Sequence, residues 1–243
     1  VASRGYRAPG LLDREQAQIY RGHLASGLDD PEISVISAPD QEKERVTNYE
    51  IGYLGQFLRT GLTLDIKFFQ EELDKIVNEY RLDGLEGDID QVTIVRDNTI
   101  DVTARGYEVG LDYRPFSRLL LAGQFSHIFL DGEYLTRTPP PEYVDMRSSV
   151  PEYAMNLLVS YTFPWQIEAG ANYYKQDAVD WLNGHVVDGF ERLDLRLAKG
   201  FDIGKTSGLV ELLVQNALGK DYLEFHDFNT FERRTYLRVS LNW

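Results

Sequence analysis

The sequence predicts an all-β fold: an antiparallel, membrane-spanning barrel wall of about ten strands. Three observations predict it. Apolar and polar residues alternate with a period of two over one stretch after another, and that period sends successive side chains to opposite faces of a pleated chain. These stretches are joined alternately by long polar connections and by links of a few residues. The rings of Phe57, Tyr113, Phe116, Tyr161, Phe163, Trp165, Phe201 and Trp243 gather beside the short links, as a girdle at one membrane interface would.

The chain opens on a short strand that stops where Pro9 and Gly10 break the pattern. A long polar connection then runs to about Arg45, with a helical turn or two expected over Leu11 to Tyr20. The next strand sets Tyr49, Ile51, Tyr53 and Phe57 on one face and Asn48, Glu50, Gly52 and Gln56 on the other. Arg59-Thr60-Gly61 reads as a hairpin link into the strand that begins at Leu62. An acidic loop is expected from about Arg81 to Asn98, followed by a strand from Thr99 to Tyr113 in which Tyr107, Val109 and Leu111 oppose Glu108, Gly110 and Asp112. Pro115 to Ser117 turns the chain tightly into the strand from Leu119 to Leu130.

A loop with Pro139, Pro140 and Pro141 leads to the strand from Val150 to Phe163, and Pro164 turns that directly into the next, Trp165 to Lys175. Beyond a loop from Val179 to Gly189, Leu193, Leu195 and Leu197 alternate with Arg192, Asp194 and Arg196. Two further strands follow, the last from Thr230 to Trp243. Its odd positions, Phe231 to Trp243, are mostly apolar, and its even positions are polar.

Composition excludes several functions. A net charge of −14 argues against nucleic acid, which needs a basic surface. With no Cys there is no disulfide framework and no thiolate metal or redox site. No apolar run reaches the roughly 18 residues of a membrane helix; a mean hydropathy of −0.35 does not distinguish a soluble protein from a barrel. The four histidines show no metal-ligand spacing, and Asp83, Glu86, Asp88 and Asp90 lack the spacing of a calcium loop. No metal, cofactor or catalytic residue is therefore expected. Ser126 and His127 are adjacent in a strand and point to opposite faces, so they cannot act as nucleophile and base. Val1 opens without a secretory leader and already reads as strand interior, so the expectation is a piece of a longer chain.

Several blocks together resemble the C-terminal half of a TonB-dependent outer-membrane receptor. They are Ser3 to Pro9, Asn48 to Tyr53, Gln215 to Tyr222 and the closing strand, and the resemblance covers essentially the whole chain. It implies that residues 1–243 form the last ten strands of a roughly 22-stranded barrel around a plugged lumen. The plug domain, the TonB box and the first half of the barrel are expected to lie outside these residues. Implied with it are a place in the bacterial outer membrane, lipid contact, and TonB-powered uptake of a scarce nutrient such as siderophore iron, cobalamin, haem or carbohydrate. Leu237, Val239, Leu241 and Trp243 would be read by the barrel-assembly machinery.

Two sets of residues are candidates for function. Tyr134, Tyr143, Trp181, His185, Tyr222, Phe225 and His226, in presumed external loops, could contact a small-molecule ligand; the plainer alternative is that these loops pack on themselves. Glu50, Glu108, Arg192, Asp194, Arg196, Glu211, Arg234 and Arg238 read as lumen-facing, or as ion-pair ladders between neighbouring strands. Two rival readings remain: a freestanding ten-stranded barrel acting as a passive pore or structural protein, and a barrel enzyme whose hydrolysis depends on one His.

Overall fold

A computed structural model describes residues 1–8, 17–21, 32–38, 40–81, 91–135, 146–181, 186–225 and 229–243. Tyr143, His185 and His226 lie outside the described residues, as does the acidic loop with Asp83, Glu86, Asp88 and Asp90.

Ten antiparallel strands follow one another along a single sheet: β1 (Ala2–Arg7), β4 (Glu44–Phe57), β5 (Leu62–Arg81), β6 (Gln91–Phe116), β7 (Leu119–Tyr134), β8 (Tyr153–Phe163), β9 (Ile167–Gln176), β12 (Phe190–Ile203), β13 (Thr206–Gln215) and β16 (Arg234–Asn242). The intervening elements are short: β2 (Ala17–Arg21) pairs with β3 (Glu32–Ser37), β10 (Val179–Asp180) with β11 (Val186–Val187), and β14 (Tyr222–Leu223) with β15 (Thr230–Phe231). The one helical element described is a 3-10 turn, Met146–Ser148. No helix among the described residues could cross a membrane, which leaves crossing by strands untouched.

Four expectations are corrected. Ala17 to Tyr20, expected to be helical, form β2, and β3 lies parallel to β6, Glu32 opposite Gln91 and Ser37 opposite Arg96. The strand expected from Thr99 is 26 residues long and begins at Gln91. The connection from Val179 to Gly189 contains β10 and β11. The closing strand breaks at Glu232 and Arg233, which leaves Phe231 paired with Tyr222 and outside the register of β16.

The chain divides into two units. In the first (Val1–Glu50, Phe69–Arg105, Leu130–Arg147), Ile100 is 1% exposed and lies with Val102 against Leu73, Ile76, Leu130 and Tyr134. Tyr134 is thus seated in apolar packing. β5 bulges here at Lys75, whose φ is 58°. The Lys75 N–H donates to Asp101 at 2.6 Å and the Val77 N–H to Glu44 at 2.9 Å, so the peptides displaced from the ladder are satisfied by carboxylates.

The second unit (Ile51–Phe68, Gly106–Phe129, Ser148–Trp243) contains the regular wall. Its links are short for physical reasons. Gly61 has φ 69°, and a Cβ there would stand 2.0 Å from the Arg114 carbonyl oxygen, so only glycine closes the Phe57-to-Leu62 turn. Register sorts the side chains by parity. Val159, Ala171, Leu195, Val214 and Thr235 lie in one row across β8, β9, β12, β13 and β16 on the apolar face. Ser160, Gly170, Arg196, Leu213 and Tyr236 form the next row, on the polar face.

The apolar face ends in rings at both ends. Beside the short links, Phe116 meets Tyr161 at 6.4 Å and Tyr161 meets Phe163 at 4.5 Å. At the other end, Tyr107 contacts Phe68, Phe125 and His127, and His127 lies 4.3 Å from Phe129 and opposite Tyr153 in register. β8 runs from Tyr153 in one belt to Phe163 in the other; that span is about 33 Å along the strand and about 25 Å along the membrane normal at a tilt of about 40°, the height of an outer-membrane apolar band. Between the belts, Leu157 is 49% exposed, Leu197 51%, Leu237 71% and Val239 58%. So broad an apolar surface is stable against lipid and not against water.

Candidate functional site

On the polar face of the second unit, the long-loop ends of β9 and β12 gather rings around one guanidinium. Tyr174 stands opposite Arg192, and Gln176 opposite Phe190. Phe190 stacks on Tyr222 at 4.3 Å with 17° between the planes, and Tyr222 stacks on Phe231 at 5.3 Å. Tyr174 lies 5.6 Å from Phe190. The break before β16 allows this stack, because it frees Phe231 from the parity of Leu237.

Arg192 is held from several sides. Its Nη1 donates to the Tyr222 hydroxyl at 3.0 Å, its Nε is 3.3 Å from an Asp194 oxygen, and Glu224 is 4.0 Å away. The guanidinium carbon sits 5.9 Å from the Tyr174 ring centre, within cation-π range. Trp181 meets Phe225 edge-on at 5.3 Å, and among the described residues its buried indole N–H has no hydrogen-bond partner. Pro151, Tyr174, Gln176, Trp181, Phe190, Arg192 and Glu224 line a recess of about 320 Å³.

The turn after β13 explains how Tyr222 reaches Phe190. Asn216 (φ 51°) and Gly219 (φ 69°) both adopt the left-handed conformation such a turn requires. The Asn216 N–H donates to Asp194 at 3.0 Å, and its side-chain amide donates to the Lys220 carbonyl at 2.8 Å. Arg233 Nη2 donates to the Ala217 carbonyl at 3.0 Å. Asp194 therefore fixes the turn as well as flanking Arg192.

Nearer the short links, the same face carries an ion network. Arg196 bonds Glu211 at 2.5 Å and Glu168 at 2.9 Å, and Arg238 bonds Glu211 at 2.6 Å. Glu211 is 6% exposed, and two guanidiniums compensate its burial. Glu108 pairs with Lys67 at 3.0 Å. Asp65, Lys67, Glu108, Gln124, Asn156 and Tyr174 are among the residues that border a recess of about 360 Å³, so Tyr174 lines both recesses.

The structure thus brings Trp181, Tyr222 and Phe225 together with Arg192, and Arg196, Glu211 and Arg238 into one network. Arg234 lies over the Phe231 ring at 6.0 Å. Glu50 makes no ion pair among the described residues; its peptide bonds to Val1. Sequence reasoning missed Tyr174, Phe190 and Phe231 as members of the cluster. Tyr174 and Phe190 share the parity of Arg192, so a signal was present; the position of Phe231 depends on a break that alternation conceals.

The family model described as TonB dependent receptor-like, beta-barrel matches residues 2–217. No curated protein matches by sequence. Among solved structures, the chain is similar to the ferric-catecholate import receptor Fiu from E. coli K12, with 17% identity and a TM-score of 0.65 over 99% of this chain and 32% of that one. It is similar to a mutant ferric enterobactin receptor from Pseudomonas aeruginosa in complex with enterobactin, with 14% identity and a TM-score of 0.68 over 99% and 37%. The FrpB iron transporter from Neisseria meningitidis gives 19% and 0.60 over 84% and 31%. At these identities the likeness is one of fold, and the chain spans about a third of the length of each of these structures.

Proposed function

The chain belongs to the TonB dependent receptor-like β-barrel family, and we propose that residues 1–243 form a C-terminal part of the wall and loops of an outer-membrane receptor that imports a ferric siderophore. A small-molecule ligand is captured by the loops and by a plug domain, and TonB drives the plug's rearrangement. The observation that carries the ligand class is the Arg192 cluster. Stacked rings with a guanidinium in their midst suit an anionic chelate built of aromatic rings better than a neutral sugar. The solved relatives named for ferric catecholates and ferric enterobactin support the same class. Lipid surrounds the apolar face, and the barrel-assembly machinery recognises Leu237, Val239, Leu241 and Trp243.

The test is uptake of a radiolabelled ferric catecholate by cells carrying the receptor. Uptake is expected to stop when TonB is removed. Arg192→Ala is expected to lower it about tenfold, the scale of one lost charge-assisted hydrogen bond. Uptake that persists without TonB would instead make the barrel a passive pore.

A further inference from the structure

The two recesses that share Tyr174 lie along one row of the polar face. Arg192 stands opposite Tyr174, Tyr174 opposite Asn156, and Asn156 opposite Gln124, so the row crosses β12, β9, β8 and β7 at one level. The recess of about 360 Å³ continues it to Gly110 on β6 and Asp65 on β5. A Cβ on Gly110 would stand 3.6 Å from that of Asp65, and the missing side chain gives this end its room. From Arg192 to Asp65 the row spans five strand spacings, about 24 Å. Tyr174 is the wall between its halves, and its hydroxyl is tied to Gln176 at 2.7 Å. On β8 the row passes Asn156, closer to Tyr153 than to Phe163 and so nearer the long-loop end.

The halves differ in charge. One holds the Arg192 guanidinium among rings. The other sets two carboxylates, Asp65 and Glu108, against the Lys67 ammonium, which is bonded to Glu108 at 3.0 Å. Asp65 makes no hydrogen bond or ion pair among the described residues, and neither do the side-chain amides of Gln124 and Asn156. This half therefore offers a ligand an uncompensated carboxylate and two amides that can turn their oxygens inward, acceptors that suit an ammonium and repel an anion.

Resting on the ferric-siderophore reading, we propose that the ligand carries a cationic arm. Arg192 and its rings hold the anionic iron chelate, and Asp65, Gln124 and Asn156 hold an arm that ends in an ammonium, as a polyamine or a basic peptide would supply. Tyr174 packs between chelate and arm, and Asp65 determines specificity for the arm.

The test uses the purified full-length receptor in detergent and two synthetic ferric tris-catecholates. They are identical but for a flexible arm, which ends in a primary ammonium in one and is N-acetylated in the other. Quenching of tryptophan fluorescence gives both dissociation constants. The ammonium form is expected to bind about tenfold more tightly, the scale of one charge-assisted hydrogen bond. Asp65→Asn is expected to remove most of that advantage, and Gly110→Val, which narrows the recess at ordinary contact distances, to do the same. Both variants should bind the acetylated form as the parent does, which shows that they still fold. Equal affinity of the parent for the two forms, as would follow if another part of the receptor filled the recess, overturns the arm and leaves the chelate reading standing. An advantage that survives Asp65→Asn does the same. If the parent binds neither form, the siderophore reading falls and the arm with it.

Discussion

The two faces of the second unit are built from the same strands, yet they obey opposite rules. On the apolar face, Leu195 has Ala171 and Val214 beside it, and burial is to be completed by lipid. One residue away, Arg196 is held between Glu168 and Glu211, and each charge is answered by a neighbour on another strand. The contrast teaches that, between the two belts, parity decides whether a charge is tolerated. A wall of this kind is therefore sensitive to which face a substitution meets and much less to its size.

The largest effect on the wall should come from breaking that rule outright. Leu195→Arg puts a guanidinium at mid-height on the apolar face and is expected to cost about 2–4 kcal/mol. Equilibrium unfolding in lipid vesicles would measure it, and a variant as stable as the parent would refute the assignment of faces. Removing charge from the other face should cost less, because that side is partly wet. Arg196→Leu leaves Glu168 unpaired and Glu211 with Arg238 alone, for an expected loss of about 1–3 kcal/mol in the same assay.

Smaller still is the thermodynamic effect of Trp243→Ala, since that ring is 94% exposed. Its expected consequence is kinetic: a severalfold lower amount of assembled protein in the outer membrane, scored by quantitative blotting. Deletion of residues 180–189 should leave wall stability nearly unchanged while lowering ligand uptake. Unchanged uptake would remove that loop, with Trp181 in it, from the binding site.

The wall was largely legible because alternation is a local signal. Leu193, Leu195 and Leu197 against Arg192, Asp194 and Arg196 can be sorted by eye, and the ten strands along the sheet follow from repeating that step. What escaped depends on partners distant in sequence. Ile33 and Val35 alternate with Glu32 and Ser34, but nothing local says that this strand will lie parallel to Gln91–Arg96. Tyr107, His127 and Tyr153 had the right parity for a second belt, yet their common height appears only once the register is known. In the candidate cluster, Trp181, Tyr222 and Phe225 could be nominated as loop rings. Their meeting with Arg192 depends on the Asn216–Gly219 turn, whose left-handed residues can be read in the sequence but whose direction cannot.

The spacing of the two belts has a mechanical consequence. An apolar height of about 25 Å is shorter than the roughly 30 Å hydrocarbon core of an ordinary bilayer. Around this wall such a bilayer would have to thin by about 5 Å, at an elastic cost of a fraction of a kcal/mol for each ångström of mismatch. The belts thus act as a gauge, favouring thin membranes and, in mixed lipids, drawing shorter acyl chains to the strands that carry them.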